Sequence, residues 1–475
     1  MSPCKFYGAW LLVLLIGISA LGCRDSKPTE VPTTGPTMTE AELEALRLAP
    51  LKVLLVGSPA WSEEIKLQFE GRGGATIAIT TIDAEQWANT TNEDCDAYDV
   101  LMVPPDRLAP LVAADKLLKF PPAILEKWGH NSWFAVDRRI GRIDQNTYGI
   151  SLGTPLAAVL VHPNAGGADS NELRIPENWA EWQAAADSDR QNQRPLRWVE
   201  PMSGFNPASS LMLRAASMAK SQSQSDVFYS RVDGEPRLTS PPFVKAMEDL
   251  KATYGPNAAE LKNLSAPDLI AQVQAGTVQG ALVPLPRLDD VSVGVANLKP
   301  TPPPGSQRFY NFFDKSWTNR SAGVLRTQVV GVSGHIVCVL RRTRKSEAAF
   351  KLVELMVTTP TAETFAPFAE QVLVSRSEQW SNASQWIGRQ YSVDATDKIR
   401  NIFDLANDDV LGGTEIFPSL PGNRERLQAL TEAVWHVLED RKEPRAALEE
   451  CQQIWIEIGK NHSPLDPLTI FQRSK

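Results

Sequence analysis

The stretch YGISLGTPLAAVLVHPN, Tyr148 to Asn164, contains an almost unbroken apolar run that begins directly behind Gly-Thr-Pro. Such a run is typical of a strand that is buried on both faces in a sheet covered by helices. Gly149, Gly153 and Pro155 lie at its start, where they allow and fix a sharp change of chain direction. By themselves these residues equally indicate an ordinary strand bend. The stretch therefore predicts a buried strand that enters its sheet behind a bend.

Short apolar strands alternate with helical patterns on both sides of this stretch. Before it come KVLLVG, WSEEIKLQFE, ATIAIT and YDVLMVP, and after it come NWAEWQAAADS, RWVEP, FVKAMEDLKATYG and QGALVPLP. Parallel strands need crossover connections, and the connecting helices cover both faces of the sheet. The pattern predicts an α/β fold in which each of two lobes has a mostly parallel sheet flanked by helices. The segment KPTPPPGSQ is too rich in proline to be a helix or a central strand.

Length and composition agree with a folded protein of two lobes. The chain has 475 residues, of which 43% are hydrophobic and 22% are charged, and this is too long for one ordinary core. The formal net charge of -8 does not favour binding to nucleic acid.

Residues 1-22 are predicted to be a signal peptide. Lys5 supplies a positive charge, and the apolar stretch from Trp10 to Leu21 is too short to span a bilayer comfortably. The segment ends in Ser-Ala-Leu-Gly-Cys, which resembles the lipobox of bacterial lipoproteins, although Ala20 stands where leucine is usual. The resemblance implies that cleavage leaves Cys23 as a lipidated N-terminus; the alternative is a plain secretory signal.

Residues 23-49 are predicted to be a tether with a short helix, because Asp25 to Pro36 is polar and rich in proline and threonine. The tether would hold an extracytoplasmic body at the membrane of the cell envelope.

The cysteines and histidines indicate neither a metal site nor a catalytic centre. Cys95, Cys338 and Cys451 are far apart and lack Cys-x-x-Cys spacing, so buried free thiols are favoured, and at most one disulfide is possible. The five histidines are dispersed. The chain also lacks a Gly-x-Ser-x-Gly elbow, a phosphate loop and a His-Glu-x-x-His motif. We therefore predict no metal, no cofactor and no enzymatic activity.

Five stretches occur in the order found in the bacterial extracellular solute-binding proteins of the sugar-type family, the receptors of ABC importers. They are YDVLMVPPDRL, YGISLGTPLAAVLVHPN, AGTVQGALVPLPR, VVGVSGHIVCVLRRTRKSEAAFKLVELMVTTP, and VLVSR followed by a helical tail ending in ALEECQQIW. The chain resembles this family over nearly its whole mature length.

The resemblance implies the type II architecture of periplasmic binding proteins, with two lobes joined by a strand-like hinge. Residues 149-155 would form the first crossing between lobes, and residues 328-333 the second. Lobe 1 would comprise 50-150 plus 331-376, and lobe 2 would comprise 151-330 plus 377-475.

Candidate ligand-binding residues are aromatic platforms and polar groups near strand ends and crossings, since a sugar presents apolar C–H faces and a rim of hydroxyls. They are Trp61, Asp106, Arg107, Thr154, Trp198, Phe205, Asn206, Arg287, Tyr310 and Trp317. Arg287 stands where similar proteins often have a tryptophan. Each aromatic residue has a core role as its alternative, and Asp106 with Arg107 has a solvated surface pair as its alternative.

The predicted function is capture of a small solute, expected to be a sugar or oligosaccharide, by lobe closure and its delivery to an ABC permease. The receptor is expected to be a monomer that contacts the membrane through its N-terminal lipid. One alternative is a solute-sensing lipoprotein coupled to a membrane signalling partner. A carbohydrate-active enzyme is the other, because a fold does not fix a function.

Overall fold

The computed structural model describes residues 49-163, 174-221, 227-230, 232-287, 298-321, 323-358, 365, 372-387, 392-408 and 413-462. The predicted signal peptide, the predicted lipidation site Cys23 and the predicted tether up to residue 48 lie outside the described residues.

The strands are numbered along the chain. They are β1 (Leu51–Val56), β2 (Ile77–Ile82), β3 (Val100–Val103), β4 (Arg142–Ile143), β5 (Asn146–Thr147), β6 (Gly149–Ser151), β7 (Ala157–Val161), β8 (Trp198–Val199), β9 (Gly280–Pro284), β10 (Lys299–Thr301), β11 (Arg308–Asn311), β12 (Ser316–Asn319), β13 (Gln328–Val330), β14 (Ile336–Val339) and β15 (Thr414–Ile416).

The α-helices are numbered in the same way. They are α1 (Pro59–Gly71), α2 (Ala84–Asn89), α3 (Leu108–Ala113), α4 (Pro122–Lys127), α5 (Ala135–Ile140), α6 (Trp179–Gln191), α7 (Asn206–Ala219), α8 (Pro241–Tyr254), α9 (Ala258–Leu261), α10 (Ala266–Gln274), α11 (Ser346–Val357), α12 (Ala383–Ile387), α13 (Val393–Asn407), α14 (Asn423–Leu438) and α15 (Pro444–His462).

The first lobe is built on a five-stranded sheet in the order β2-β1-β3-β14-β6. Strand β1 runs parallel to β2 and β3, whereas β14 is antiparallel to both β3 and β6. The side chains of β3 are all buried, and β1 buries five of its six residues, as expected for a sheet with helices on both faces. Helix α1 packs one stripe, Trp61, Ile65 and Phe69, at the i, i+4, i+8 spacing of one helix face.

The second lobe is built on a four-stranded sheet in the order β10-β7-β9-β8. Strand β8 is parallel to β9, whereas β7 is antiparallel to both β9 and β10. Each main sheet therefore contains one reversed strand, and that strand follows a crossing from the other lobe. The predicted two-lobed α/β class is confirmed. The proline-rich segment contributes only the edge strand β10, where a residue without an N–H is tolerated.

Glycines are required where the two crossings approach other chain segments. Gly153 has φ +127°, and a Cβ built on it would lie 2.6 Å from the carbonyl carbon of Leu373. Gly334 has φ +95°, and its Cβ would lie 2.8 Å from Cδ of Pro155. An L side chain at either position would therefore meet both backbone strain and a steric clash.

Gln328 links the second crossing to the start of β7 by hydrogen bonds. Its Oε1 accepts from the Ala157 N–H at 2.9 Å, and its Nε2 donates to the Ala157 carbonyl at 2.9 Å. Since Gln328 is buried, both bonds are shielded from water. The side chain thus connects β13 of the second crossing to the first residue of β7.

The C-terminal tail packs on both lobes. Helices α14 and α15 pack against α7 and α8 of the second lobe. However, Phe403 of α13 stacks on Phe134 at 6.3 Å between ring centroids, and Ser419 bonds to residues that follow β3. Residues 377-475, predicted to belong to lobe 2, thus also contact residues of the first lobe, and the predicted lobe bounds stay a prediction.

Cys95, Cys338 and Cys451 are free and buried. Among the residues that the structure describes, no helix combines the length and apolar character needed to cross a membrane.

Candidate ligand-binding cavity

A cavity of about 310 Å³ lies at the edge of the second sheet, beside the two crossings. Strands β8 and β9 end at this edge and β7 begins there. The lining comes from both crossings, the sheet edge and the first turns of α7, and it includes Pro155, Leu156, Ala157, Pro201, Phe205, Asn206, Ser209, Ser210, Met212, Leu213, Leu282, Val283, Pro284, Val329, Val332 and Ser333.

The turn before α7 fixes the polar and aromatic part of this lining. The Met202 N–H donates to the Leu264 carbonyl at 2.8 Å, which holds the turn against the segment before α10. Nδ2 of Asn206 donates to the Ser203 carbonyl at 2.7 Å, and the Ser209 N–H donates to the Phe205 carbonyl at 3.0 Å. Phe205 and Asn206 are therefore presented from a hydrogen-bonded turn.

The chemistry of the cavity combines apolar surface with a few polar groups. Leu213, Leu282 and Val283 supply aliphatic surface. Asn206, Ser209 and Ser210 supply an amide and two hydroxyls, which can both donate and accept hydrogen bonds. An apolar wall with convergent polar groups suits a small ligand that has C–H faces and hydroxyls.

Trp61 lies in the core of the first lobe. Its side chain is only 4% exposed, and its ring meets the ring of His335 edge to face at 4.9 Å. Nε2 of His335 lies 2.6 Å from the Val56 carbonyl, and burial lowers the pKa of His335, so the ring is neutral and Nε2 donates. The indole of Trp61 therefore packs inside the lobe, and a ligand contact by Trp61 stays a prediction.

Asp106 and Arg107 both interact with Trp87 instead of forming a solvated pair. Nε1 of Trp87 donates to Asp106 at 3.2 Å, and the Arg107 guanidinium lies 4.6 Å from the Trp87 ring centroid. Arg107 also donates to the Thr90 carbonyl. Burial raises the pKa of Asp106 to about 6. These side chains are occupied within the first lobe and are not in the lining of the cavity.

Thr154 belongs to a hydrogen-bonded group at the first crossing. Its hydroxyl donates to Oδ1 of Asp137 at 2.8 Å, and the Ser151 hydroxyl donates to the same oxygen at 2.6 Å. Asp137 is 1% exposed, and burial raises the pKa of its carboxyl to about 6 despite these two bonds and the charge of Arg376. The Thr154 hydroxyl is thus directed at Asp137 within the first crossing, and a ligand contact by Thr154 stays a prediction.

Trp198 and Arg287 are also buried away from this cavity. Trp198 is 3% exposed, with its ring 5.8 Å from that of Trp182. A Cβ on Gly280 would lie 2.4 Å from the Trp198 ring, which shows how closely β9 covers it. The sheet therefore buries the Trp198 ring, and a ligand contact by Trp198 stays a prediction. Arg287 is buried beyond the end of β9, outside the lining.

Tyr310 and Trp317 face each other across the β11-β12 hairpin, with ring centroids 5.5 Å apart. Trp317 lines a second cavity in another part of the lobe. Of the ten candidates, the structure places only Phe205 and Asn206 in the cavity at the crossings.

Sequence reasoning missed the other residues that line the cavity. Ser209 and Ser210 follow the candidate Phe205 by about one helical turn, so helical spacing from Phe205 was a usable signal. Val332 and Ser333 lie in the predicted second crossing but carry no distinctive chemistry. Among the described residues, no group of three or more His, Cys, Asp or Glu side chains is placed to hold a metal ion.

No protein-family model and no curated protein sequence matches this chain. Solved structures do match. The sugar-binding protein MalE from Xanthomonas citri has a TM-score of 0.64 at 15% identity, over 87% of this chain and 98% of that chain. An ABC transporter solute-binding protein from Agrobacterium radiobacter K84, in complex with ribitol, has a TM-score of 0.64 at 16% identity, over 88% and 99%.

The maltose-maltodextrin binding protein of Alicyclobacillus acidocaldarius has a TM-score of 0.59 at 13% identity, over 86% of this chain and 99% of that chain. At these identities the likeness concerns the fold. The chain has the two-lobed fold of sugar-type ABC solute-binding proteins, and the predicted resemblance is confirmed at that level.

Proposed function

We propose that this protein is an extracytoplasmic solute-binding receptor that captures a sugar or short oligosaccharide by closing its lobes and delivers it to an ABC importer. The observation that carries the proposal is the cavity at the two crossings, which combines Phe205 with amide and hydroxyl groups in a two-lobed body. The solute would be buried where the lobes change angle, so its differential affinity for the closed state would drive closure.

The similar structures support this choice of solute. They are sugar-binding, maltose-maltodextrin binding and ribitol-bound proteins, and all of these ligands are polyhydroxylated. The proposal includes attachment to the membrane through a lipid on Cys23 and a monomeric receptor. The alternative is a solute-sensing lipoprotein that binds the same solute. It differs from the receptor only in its partner, which is a membrane signalling protein instead of an ABC importer.

A thermal-shift screen of the full chain tests the proposal. The panel contains maltotriose, xylotriose, ribitol and glucose, with glycine and lysine as non-carbohydrate controls. A ligand at 100 times its dissociation constant stabilises the bound state by about 2.7 kcal/mol and raises the melting temperature. We expect at least one saccharide or polyol to give this shift and the amino acids to give none.

Phe205→Ala should lower the affinity for that ligand at least tenfold, as measured by titration calorimetry. Phe313→Ala is the matched control, because Phe313 is 81% exposed and lies outside the cavity lining. If no saccharide or polyol binds, or if the bound saccharide is hydrolysed, the receptor proposal fails. If a saccharide binds and Phe205→Ala leaves its affinity unchanged, the solute binds elsewhere.

A further inference from the structure

A second cavity, of about 280 Å³, lies at the other end of α7 from the cavity at the crossings. Asn206 lines the first cavity and Met218 lines the second. At 1.5 Å per residue these two positions are about 18 Å apart along the helix. The two cavities are therefore separate, and one can be changed without the other.

The aromatic surface of this second cavity is supplied by two tryptophans. Trp317 is half-buried on β12 and is held by the ring of Tyr310 across the hairpin. Trp179 is buried, with its Nε1 donating to the Ser217 hydroxyl at 2.9 Å. Trp317 thus offers part of its ring to solvent while Trp179 closes the wall beside it.

A buried ionic network makes this wall rigid. The Arg214 guanidinium lies 4.1 Å from the centroid of the Trp179 ring and pairs with Glu200, while Tyr254 donates to Glu200 at 2.8 Å. Arg214 and Glu200 are almost completely buried. A wall supported by paired buried charges loses little conformational entropy when a ligand binds.

The charges that line the cavity are mainly positive. Arg308 is exposed, and its guanidinium lies 5.5 Å from the centroid of the Trp317 ring. Lys245 pairs with Asp249 at 2.7 Å, with half of its own side chain exposed. The N-terminus of α6 also lies at this cavity, where Asn178 caps the Glu181 N–H, and the Glu181 carboxylate of that first turn pairs with Arg174. Two cations face one anion, so the site favours a ligand with negative charge.

We propose that this cavity is a binding site for a carboxylated sugar ring, a uronate. The apolar face of the ring would lie on Trp317, and its carboxylate would meet Arg308 and Lys245. The volume is at the small end for ligand sites, which fits one ring better than a chain. The site is independent of the solute proposed for the crossings.

Titration calorimetry of the full chain with D-glucuronate tests this proposal, and D-glucose is the neutral control of the same ring size. We expect glucuronate to bind at least tenfold more tightly than glucose, and its affinity to fall with added salt because the carboxylate pairs with exposed cations. Absence of glucuronate binding, or equal affinity for both sugars, would overturn the proposal.

Two variants locate the site. Trp317→Ala should weaken glucuronate binding at least tenfold, whereas Phe313→Ala on the same hairpin should leave it within twofold. Arg308→Gln keeps the aromatic surface and should weaken glucuronate binding at least fivefold. This variant provides the test if Trp317→Ala fails to fold. If Phe205→Ala abolishes glucuronate binding and Arg308→Gln does not weaken it, the uronate occupies the first cavity and this assignment is wrong.

Discussion

The two lobes share one sheet plan but differ at the strand ends near the crossings. In the first lobe, Trp61 packs on His335 and Asp106 accepts from Trp87. In the second lobe, the corresponding edge is open, and Phe205 and Asn206 line a cavity. A strand-end position therefore predicts where a ligand site can form, but the packing around it decides whether the side chain is available.

The lobes also differ in how they hold a buried carboxylate. Glu200 in the second lobe is paired with Arg214 and bonded by Tyr254. Asp137 in the first lobe accepts from two hydroxyls, and its pKa is raised to about 6. The charge of Glu200 in the second lobe is paired with a cation, whereas burial in the first lobe disfavours the charged form of Asp137.

Trp61→Ala tests whether the Trp61 side chain, near the strand ends of the first lobe, belongs to the hydrophobic core. The free energy of unfolding should fall by about 3–5 kcal/mol because a buried indole is replaced by a cavity. Urea denaturation measures this change. Phe313→Ala, at the exposed tip of the hairpin, should change stability by less than about 0.5 kcal/mol. A loss as small as that of the control would mean that Trp61 is available to a ligand.

Asp137→Asn tests the difference between the buried acids. A carboxyl with a pKa of about 6 when folded and 3.8 as its reference value makes the folded state bind more protons between these pH values. The stability that this group contributes is therefore complete below about pH 4 and is lost as the pH rises through 6.

The asparagine variant removes that titration, so its stability relative to the wild type should improve by about 2 kcal/mol between pH 4 and pH 7. Urea unfolding at several pH values gives the difference, and the other titrating groups, including Asp106, cancel in it. A difference that is flat over this range would contradict the raised pKa.

Gln328→Leu tests the hydrogen bonds that join the second crossing to the start of β7. The change removes two buried hydrogen bonds to the Ala157 backbone and should cost about 2 kcal/mol. Gln453→Leu, on the exposed face of α15, is the matched control and should be nearly neutral. Equal effects of the two substitutions in urea denaturation would argue against a structural role for the Gln328 amide.

Ser419→Ala tests the hydrogen bonds between Ser419 and the segment that follows β3. It should have the smallest effect, a decrease of about 1 kcal/mol in the free energy of unfolding. Its hydroxyl donates to the Asp106 carbonyl at 3.0 Å and accepts from the Ala109 N–H at 3.1 Å. Hydrogen exchange at the Ala109 amide should become faster in the variant. Unchanged exchange would mean that this contact does not protect the loop.

Much of the fold was predictable because local patterns identify its elements. The apolar runs of β1, β3, β7 and β9 and the periodic helices α1, α8, α14 and α15 lie where the sequence predicts them. The β11-β12 hairpin was not recognised, since its aromatic and polar residues follow no clean alternation. The order of the five family-like stretches along the chain predicted the two-lobed arrangement, which the structural neighbours confirm.

Less of the candidate site was predictable. Phe205 and Asn206 were candidates on local sequence grounds, and both line the cavity. Trp61 and Trp198 are of the residue type expected of ligand platforms. Their burial depends on residues distant in the chain, His335 and Gly280. A single sequence carries no direct record of such contacts.

The sequence by itself determined the strands, the helices and the α/β class, because hydrophobic period and turn chemistry are local properties. Tertiary structure alone decided which polar and aromatic side chains are occupied internally, as with Asp106 on Trp87, and which line a cavity, as with Trp317. The physical reason is that the burial and partners of a side chain depend on neighbours that only the folded chain brings together.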